Sequence, residues 1–281
     1  MYFCSHAQIE YEYVGGIVLS DTSKTTYSYK ISFKVVNELV SGYSITNMGT
    51  EYETKTTISG NYNKQKKELL IRETGIIYTK TPIKIDEESC FVNFSVKPFI
   101  SEKTKSTSGS FEGMTVNFKK CAEGKIFLNS LEKVEDRMNK VAKKLNKIKR
   151  VPDSIKQKFQ PLKMMDSMNM NILRKNQTLS IFTNDEKIKL IVYDGGKEDG
   201  DRISIMSNGK TIRKSYKATN KRNIILLNLD SIKTSIVIKA ENEGQISPNT
   251  VVVELVDQEN NIRALSNLKM GEETRIDVLK K

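Results

Sequence analysis

The chain has 281 residues, enough for two domains with a core each, and 37% of them are hydrophobic without a run of eighteen, which excludes a membrane-spanning helix. The net charge of +12 comes from lysines spread along the whole length. That is the pattern of a solvated surface, so no nucleic-acid partner is expected.

Residues 1–8, MYFCSHAQ, read as the end of a secretory signal peptide, with Ser5-His6-Ala7 fitting the small-x-small cleavage rule. Removing them takes away Cys4 and the only histidine, His6, and leaves Cys90 and Cys121. In an exported chain that pair is most simply a disulfide, stabilising by roughly 3–4 kcal/mol through loop closure. In a cytosolic chain the two would instead be free and buried.

Residues 9–129 read as an N-terminal β domain. Tyr27, Tyr29, Ile31, Phe33 and Val35 alternate with Ser28, Lys30, Ser32 and Lys34, the period-two signature of a strand with one buried face. Strand-like runs at 13–19, 56–62, 68–73, 76–80, 90–96, 110–117 and 124–128 surround it, with a polar turn at 61–67. Strands at this spacing without intervening helices predict an antiparallel barrel or sandwich. A barrel around an apolar cavity would suit a small-ligand carrier, and an interior filled by Tyr27, Tyr29, Phe33 and their neighbours would speak against one.

Residues 130–150 form the longest helical signal. Leu131, Val134, Met138, Val141, Leu145 and Ile148 recur at steps of three and four, Ser130 is a reasonable N-cap, and Pro152 follows. Eight cations face three carboxylates in this stretch, a net +5. The apolar face is expected to pack on residues 9–128. Self-association into a homo-oligomer and adsorption to an anionic surface are the two alternatives. The rest of 130–175 reads as a linker, with Pro152, Pro161, Met164, Met165, Met168 and Met170 among polar residues and a short helical turn near 153–159.

Residues 176–281 are β again, with runs at 178–182, 187–193, 202–207, 210–214, 224–228, 235–240, 251–257 and 274–279. Asn208-Gly209 between two of them is a strong hairpin signal, and a C-terminal β-sandwich is expected. The fold class is therefore mainly β: barrel or sandwich, linking helix, sandwich.

Two loops in this last part carry the candidate sites. The loop 194–201, DGGKEDGD, offers Asp194, Glu198, Asp199 and Asp201 as oxygen ligands for a structural calcium, although the spacing is not that of an EF-hand. A solvated Asp/Gly turn has the same composition. Asp257 and Glu259 are further carboxylates that only the fold could bring to it. The segment 240–250, AENEGQISPNT, offers Glu241, Asn242, Glu243, Asn249 and Thr250 for sugar or peptide recognition, or simply a turn held in one shape by Gly244 and Pro248.

Several of these motifs also carry a resemblance. Asp199-Gly200-Asp201, Asn208-Gly209-Lys210, Ala240-Glu241-Asn242-Glu243-Gly244 and Pro248-Asn249-Thr250, with Ser41-Gly42-Tyr43-Ser44 and Thr54-Lys55-Thr56-Thr57-Ile58-Ser59-Gly60 earlier, resemble exported two-domain β proteins of the Bacteroidota. The resemblance implies an envelope, periplasmic or secreted location and brings no catalytic residues. Asp153-Ser154-Ile155, Asp166-Ser167-Met168 and Asp230-Ser231-Ile232 look like the O-glycosylation pattern of such proteins. Without histidine in the mature chain there is no Ser-His-Asp device and no His-based zinc site. The expected function is non-enzymatic binding or scaffolding at the envelope, with a glycan or other surface polymer as ligand. A carboxylate-based hydrolase and the small-ligand carrier are the alternatives.

Overall fold

The computed structural model describes residues 10–21, 24–83, 88–101, 103–148, 150–158, 161 and 171–281. Residues 1–8 and the linker methionines Met164, Met165, Met168 and Met170 lie outside the described residues. The chain forms two compact units, Met1–Ile76 with Lys84–Ser167, and Ile77–Ile83 with Met168–Lys281. The division at 167/168 falls inside the expected linker. The segment Ile77–Ile83, read as part of the N-terminal domain, belongs to the second unit.

The first unit is an up-and-down barrel. β1 (Glu10–Leu19), β2 (Thr26–Val36), β3 (Leu39–Thr46), β4 (Thr54–Asn63), β5 (Glu68–Thr79), β6 (Phe91–Val96), β7 (Ser106–Met114) and β8 (Lys120–Ser130) each lie beside their sequence neighbour, and β8 closes on β1. Two expectations change here. β3 is an addition to the expected strands, because Gly42 with Ser41, Ser44 and Thr46 breaks its apolar alternation. The runs at 68–73 and 76–80 are one long strand, β5, continuous through Gly75.

Eight strands leave an interior just wide enough for side chains to fill. Tyr29, Ile31, Phe33, Ile58, Ile71, Phe99 and Ile126 are all under 2% exposed there. Phe33 stacks on Tyr11 at 5.2 Å, and Phe99 meets Tyr62 edge-on at 5.7 Å; such pairs add about 0.5–1.5 kcal/mol each beyond their burial. Tyr29 and Phe33 occupy the space that a carrier would keep for its ligand.

Cys90 and Cys121 are bonded, with α-carbons 6.0 Å apart. Cys90 precedes β6 and Cys121 is the extra residue of a bulge in β8, so the bridge crosses β7 at Gly113. Any side chain at Gly113 would collide, since a Cβ there falls 2.5 Å from Cys90 Sγ and 2.9 Å from Ala122 Cβ. The glycine is what lets the bridge pass.

α1 (Leu131–Lys147) continues directly from β8. Ser130 caps it, accepting from the Lys133 N–H at 3.3 Å, and Lys105 pairs with Glu132 at 3.1 Å while Lys133 Nζ bonds Ser106 Oγ. These ties hold only the first turn. The expected burial of the apolar face does not occur: no residue of α1 is buried, Val141 is 45% exposed and Ile148, the C-cap, 47%. After α1 comes the short α2 (Asp153–Lys158).

The second unit is a sandwich of two sheets. One runs β13 (Lys210–Lys217), β12 (Arg202–Ser207), β15 (Lys233–Ala240), β18 (Glu273–Lys280), β10 (Thr178–Thr183), with Tyr78 and Thr79 of β5 added at the β10 edge. The other runs β14 (Asn223–Asn228), β11 (Lys187–Asp194), β16 (Val251–Val256), β17 (Asn261–Ser266), β9 (Asn171–Leu173). Ile181 and Val278 from the first sheet and Ile188, Leu255 and Ile262 from the second line one cavity, so the two apolar faces meet. β9 and β17 are additions to the expected strands. The Asn208-Gly209 hairpin forms as expected, both residues at positive φ, with Ser207 opposite Lys210.

Candidate functional site

The two loops singled out in the sequence meet at one pole of the sandwich unit. β11 ends at Asp194, which lies opposite Val251 of β16, and β15 ends at Ala240 beside Ile203. These pairings bring the loop 194–201 against 240–250. The Gln245 N–H donates to the Asp199 carbonyl at 3.0 Å, Ile246 N–H to Asp199 Oδ2 at 2.9 Å, and Thr250 N–H to Asp201 Oδ2 at 2.7 Å. Gly244, at φ +59°, sits against both carboxylates; a Cβ there would lie 2.5 Å from Asp199 Oδ1 and 2.8 Å from Asp201 Oδ1. A third segment joins them, with Asp194 N–H donating to Thr219 O and Ala218 N–H to Asp201 O.

The acidic residues are not equivalent. Asp194 and Asp201 are buried, Asp199 is half-buried, and Glu198 is exposed, its Oε1 accepting from the Asn220 N–H at 2.6 Å. Burial, with Asp199 and Asp194 adding repulsion, pushes the Asp201 carboxyl up to about 6. Among the described residues no three His, Cys, Asp or Glu side chains by themselves close round a metal. Asp257 and Glu259 take no part: they follow the far end of β16, where Asp257 Oδ1 accepts the N–H groups of Glu259 and Asn260.

The five residues expected to face a ligand hold the loop together instead. Asn249 is 0% exposed and its amide donates to Arg202 O at 3.1 Å and Asn242 O at 3.0 Å. Asn242 donates to Gly200 O and accepts from Arg202 N–H; Glu241 accepts from Ser204 Oγ. Glu243 accepts from Met270 N–H and Ser247 Oγ, and Thr250 contributes its N–H to Asp201. Their polar atoms are largely spent inside the protein. Of the three Asp-Ser-apolar triplets, Ser231 is exposed and bonded to Lys233 O, Ser154 is exposed at the start of α2, and 166–168 lie outside the described residues.

α1 carries an exposed basic surface. Arg137, Lys140, Lys143, Lys144 and Lys147 are all exposed, and no carboxylate interrupts the sequence between Arg137 and Lys147. Steps of three and four place 137, 140, 144 and 147 on one stripe, beside the half-exposed stripe of Met138, Val141 and Leu145. The acidic residues Glu132, Glu135 and Asp136 belong to the opposite end.

One buried group escaped the sequence reading. Glu73 follows Leu69 and Ile71 on the inward face of β5 and is 7% exposed. Its carboxylate accepts from Tyr29 OH at 2.9 Å, Ser44 Oγ at 2.6 Å and Val92 N–H at 2.8 Å, and Ser44 also bonds Thr56. Burial pushes the carboxyl up, while Ser44, Val92, Tyr29 and Thr56 pull it back. Burial, and then Glu73 beside it, raise the Tyr29 hydroxyl well above its usual value. The signal was legible as a carboxylate in the apolar phase of a strand.

No family model matches this chain, and comparison with curated proteins and with solved structures gives no match.

Proposed function

We propose that this chain is a non-enzymatic exported protein that binds or scaffolds at the cell envelope, with an anionic glycan or similar anionic surface polymer as its ligand. The observation that carries this reading is the exposed basic stripe of α1, from Arg137 to Lys147, set beside apolar side chains that are not buried. Closely spaced cations attract a polyanion along their length, and the neighbouring methyl groups cover sugar faces once it is docked. The bridge between Cys90 and Cys121 suits an oxidising compartment and supports export, as do the motifs that resemble exported Bacteroidota proteins.

The test is co-sedimentation or calorimetry of the full chain with polygalacturonate, at salt concentrations from about 20 to about 300 mM, where surface charge is progressively screened. Binding that weakens with salt and disappears in the triple variant Lys140→Glu, Lys144→Glu, Lys147→Glu, at unchanged melting temperature, is the expected result. Equal binding to neutral dextran, or an unaffected triple variant, contradicts it. Preference for anionic phospholipid vesicles over the polymer would make α1 a membrane-surface helix. A doubled mass in light scattering that reverts in a Val141→Glu variant would make it a dimer face.

A further inference from the structure

A sheet edge presents unpaired N–H and C=O groups, and the sandwich unit blunts three of its four edges. β13 carries Lys210, Arg213, Lys214 and Lys217, and its register against β12 shifts twice. β10 is covered by Tyr78 and Thr79 of β5, and β9 is three residues long. β14 has none of these devices. Its six residues keep unbroken register with β11 and include no charge, and Ile224 and Leu226 are 56% and 71% exposed. The ladder shows which backbone groups are open. Leu229 N–H donates to Glu186 O at 2.8 Å, so Ile225, Leu227 and Leu229 turn their backbone groups toward β11. Those of Ile224, Leu226 and Asn228 point to the other side, where no strand among the described residues lies.

The side chains along this edge complement themselves when the direction is reversed. Arg222, Ile224, Leu226, Asn228 and Asp230 are exposed, while Ile225, Leu227 and Leu229 are buried. Leu226 stands at the middle, four residues from Arg222 and four from Asp230. In an antiparallel pair centred there, Leu226 meets Leu226 of the other copy. Ile224 then lies opposite Asn228, and Arg222 opposite Asp230, at both ends of the contact. The residues with open backbone groups become the hydrogen-bonded ones. Arg222 already bonds Glu254 through Nη2, and its guanidinium has further N–H groups for a second carboxylate. A slip of two residues sets Arg222 against Asn228 and loses both ion pairs, so charge selects the register.

We infer that β14 is a self-docking edge. Two copies of this chain pair their β14 strands antiparallel about a two-fold axis at Leu226, joining their five-stranded sheets into one. The contact is isologous, so it closes at a dimer and does not propagate. It is small for a specific interface, and a dissociation constant on the order of 10 μM is expected. No residue of α1 is used, so the dimer stands or falls apart from the polyanion reading.

The experiment is sedimentation velocity of the full chain from about 1 to about 100 μM, which should show monomer passing to dimer. Leu226→Lys, at an exposed position, should weaken the dimer by about tenfold or more at an unchanged melting temperature. Asp230→Lys sets two cations opposite each other and should weaken it severalfold, most at low salt. Cysteine variants read the register. Leu226→Cys meets its own copy and should give a disulfide-linked dimer under mild oxidation, above the background of the unsubstituted chain. Ile224→Cys, opposite Asn228, should not link to itself. Monomer at every concentration, a dimer untouched by Leu226→Lys, or linking of Ile224→Cys as readily as Leu226→Cys each overturns the assignment. A dimer that Val141→Glu dissolves and Leu226→Lys does not would belong to α1, and overturns it too.

Discussion

One buried carboxylate of the barrel and one acidic cluster of the sandwich unit are treated in opposite ways. In the barrel, Glu73 accepts from Tyr29, Ser44 and Val92, and Thr56 adds a further bond, so the group is enclosed by donors. In the sandwich, Asp194, Asp199 and Asp201 each accept one N–H and leave one oxygen dry. The difference separates a carboxylate that completes a core from carboxylates whose second oxygens the described residues leave unpaired. Burial raises the carboxyl in both places, at Glu73 and at Asp201, so the shift does not distinguish them; the count of donors does.

The comparison breaks most readily at Glu73. Glu73→Ala leaves three donors without an acceptor and a void in a filled barrel, and should cost on the order of 3–5 kcal/mol, read from urea unfolding. Its pH dependence has a definite sign. Burial raises Glu73 above its usual 4.5, so its contribution is fully present below pH 4.5 and is lost as pH rises through the folded value. The stability gap between wild type and Glu73→Ala should therefore narrow as pH rises from 4.5. A gap that widens would mean the carboxylate is stabilised as an anion and the donors outweigh burial.

Reduction of Cys90–Cys121 comes next, at roughly 3–4 kcal/mol for a 31-residue separation. Both cysteines are exposed, so dithiothreitol reaches them without prior unfolding. The loss should fall on the barrel transition and leave the transition of the sandwich unit in place. Loss of both together would show that the two units unfold as one.

Much of the architecture was legible in the sequence, for reasons that can be named. β2 announced itself through strict alternation from Tyr27 to Val35, the β12–β13 turn through Asn208-Gly209, and the start of α1 through Ser130. β3 and β17 were missed because Gly42 and the short run Asn261–Ser266 give little periodicity, and their pairing is decided by neighbours distant in sequence. The exposure of α1 could not be read from its own stripe, since an apolar face says nothing of what lies opposite. The acidic loop was visible by composition, but Asn220 was not: it reaches the pole through the path from β13 to β14, twenty-six residues beyond Asp194. Asn249 shows the reverse error. A polar loop residue that looked free for a ligand is fully buried, with its amide nitrogen spent on the backbone.

The most direct test is urea unfolding of Glu73→Gln and Asp201→Asn beside the wild type, at neutral pH. The N–H groups of Gly196, Ile246 and Thr250 donate to the half-satisfied carboxylates, whereas that of Val92 donates to the satisfied one. Glu73→Gln, which turns an amide nitrogen toward groups that donate, should cost about 2 kcal/mol or more, whereas Asp201→Asn, which removes a buried charge and keeps an acceptor for Thr250, should cost little or nothing. Equal losses in the two variants would contradict the account, because the dry oxygens of the sandwich pole would then be as well satisfied as those of Glu73.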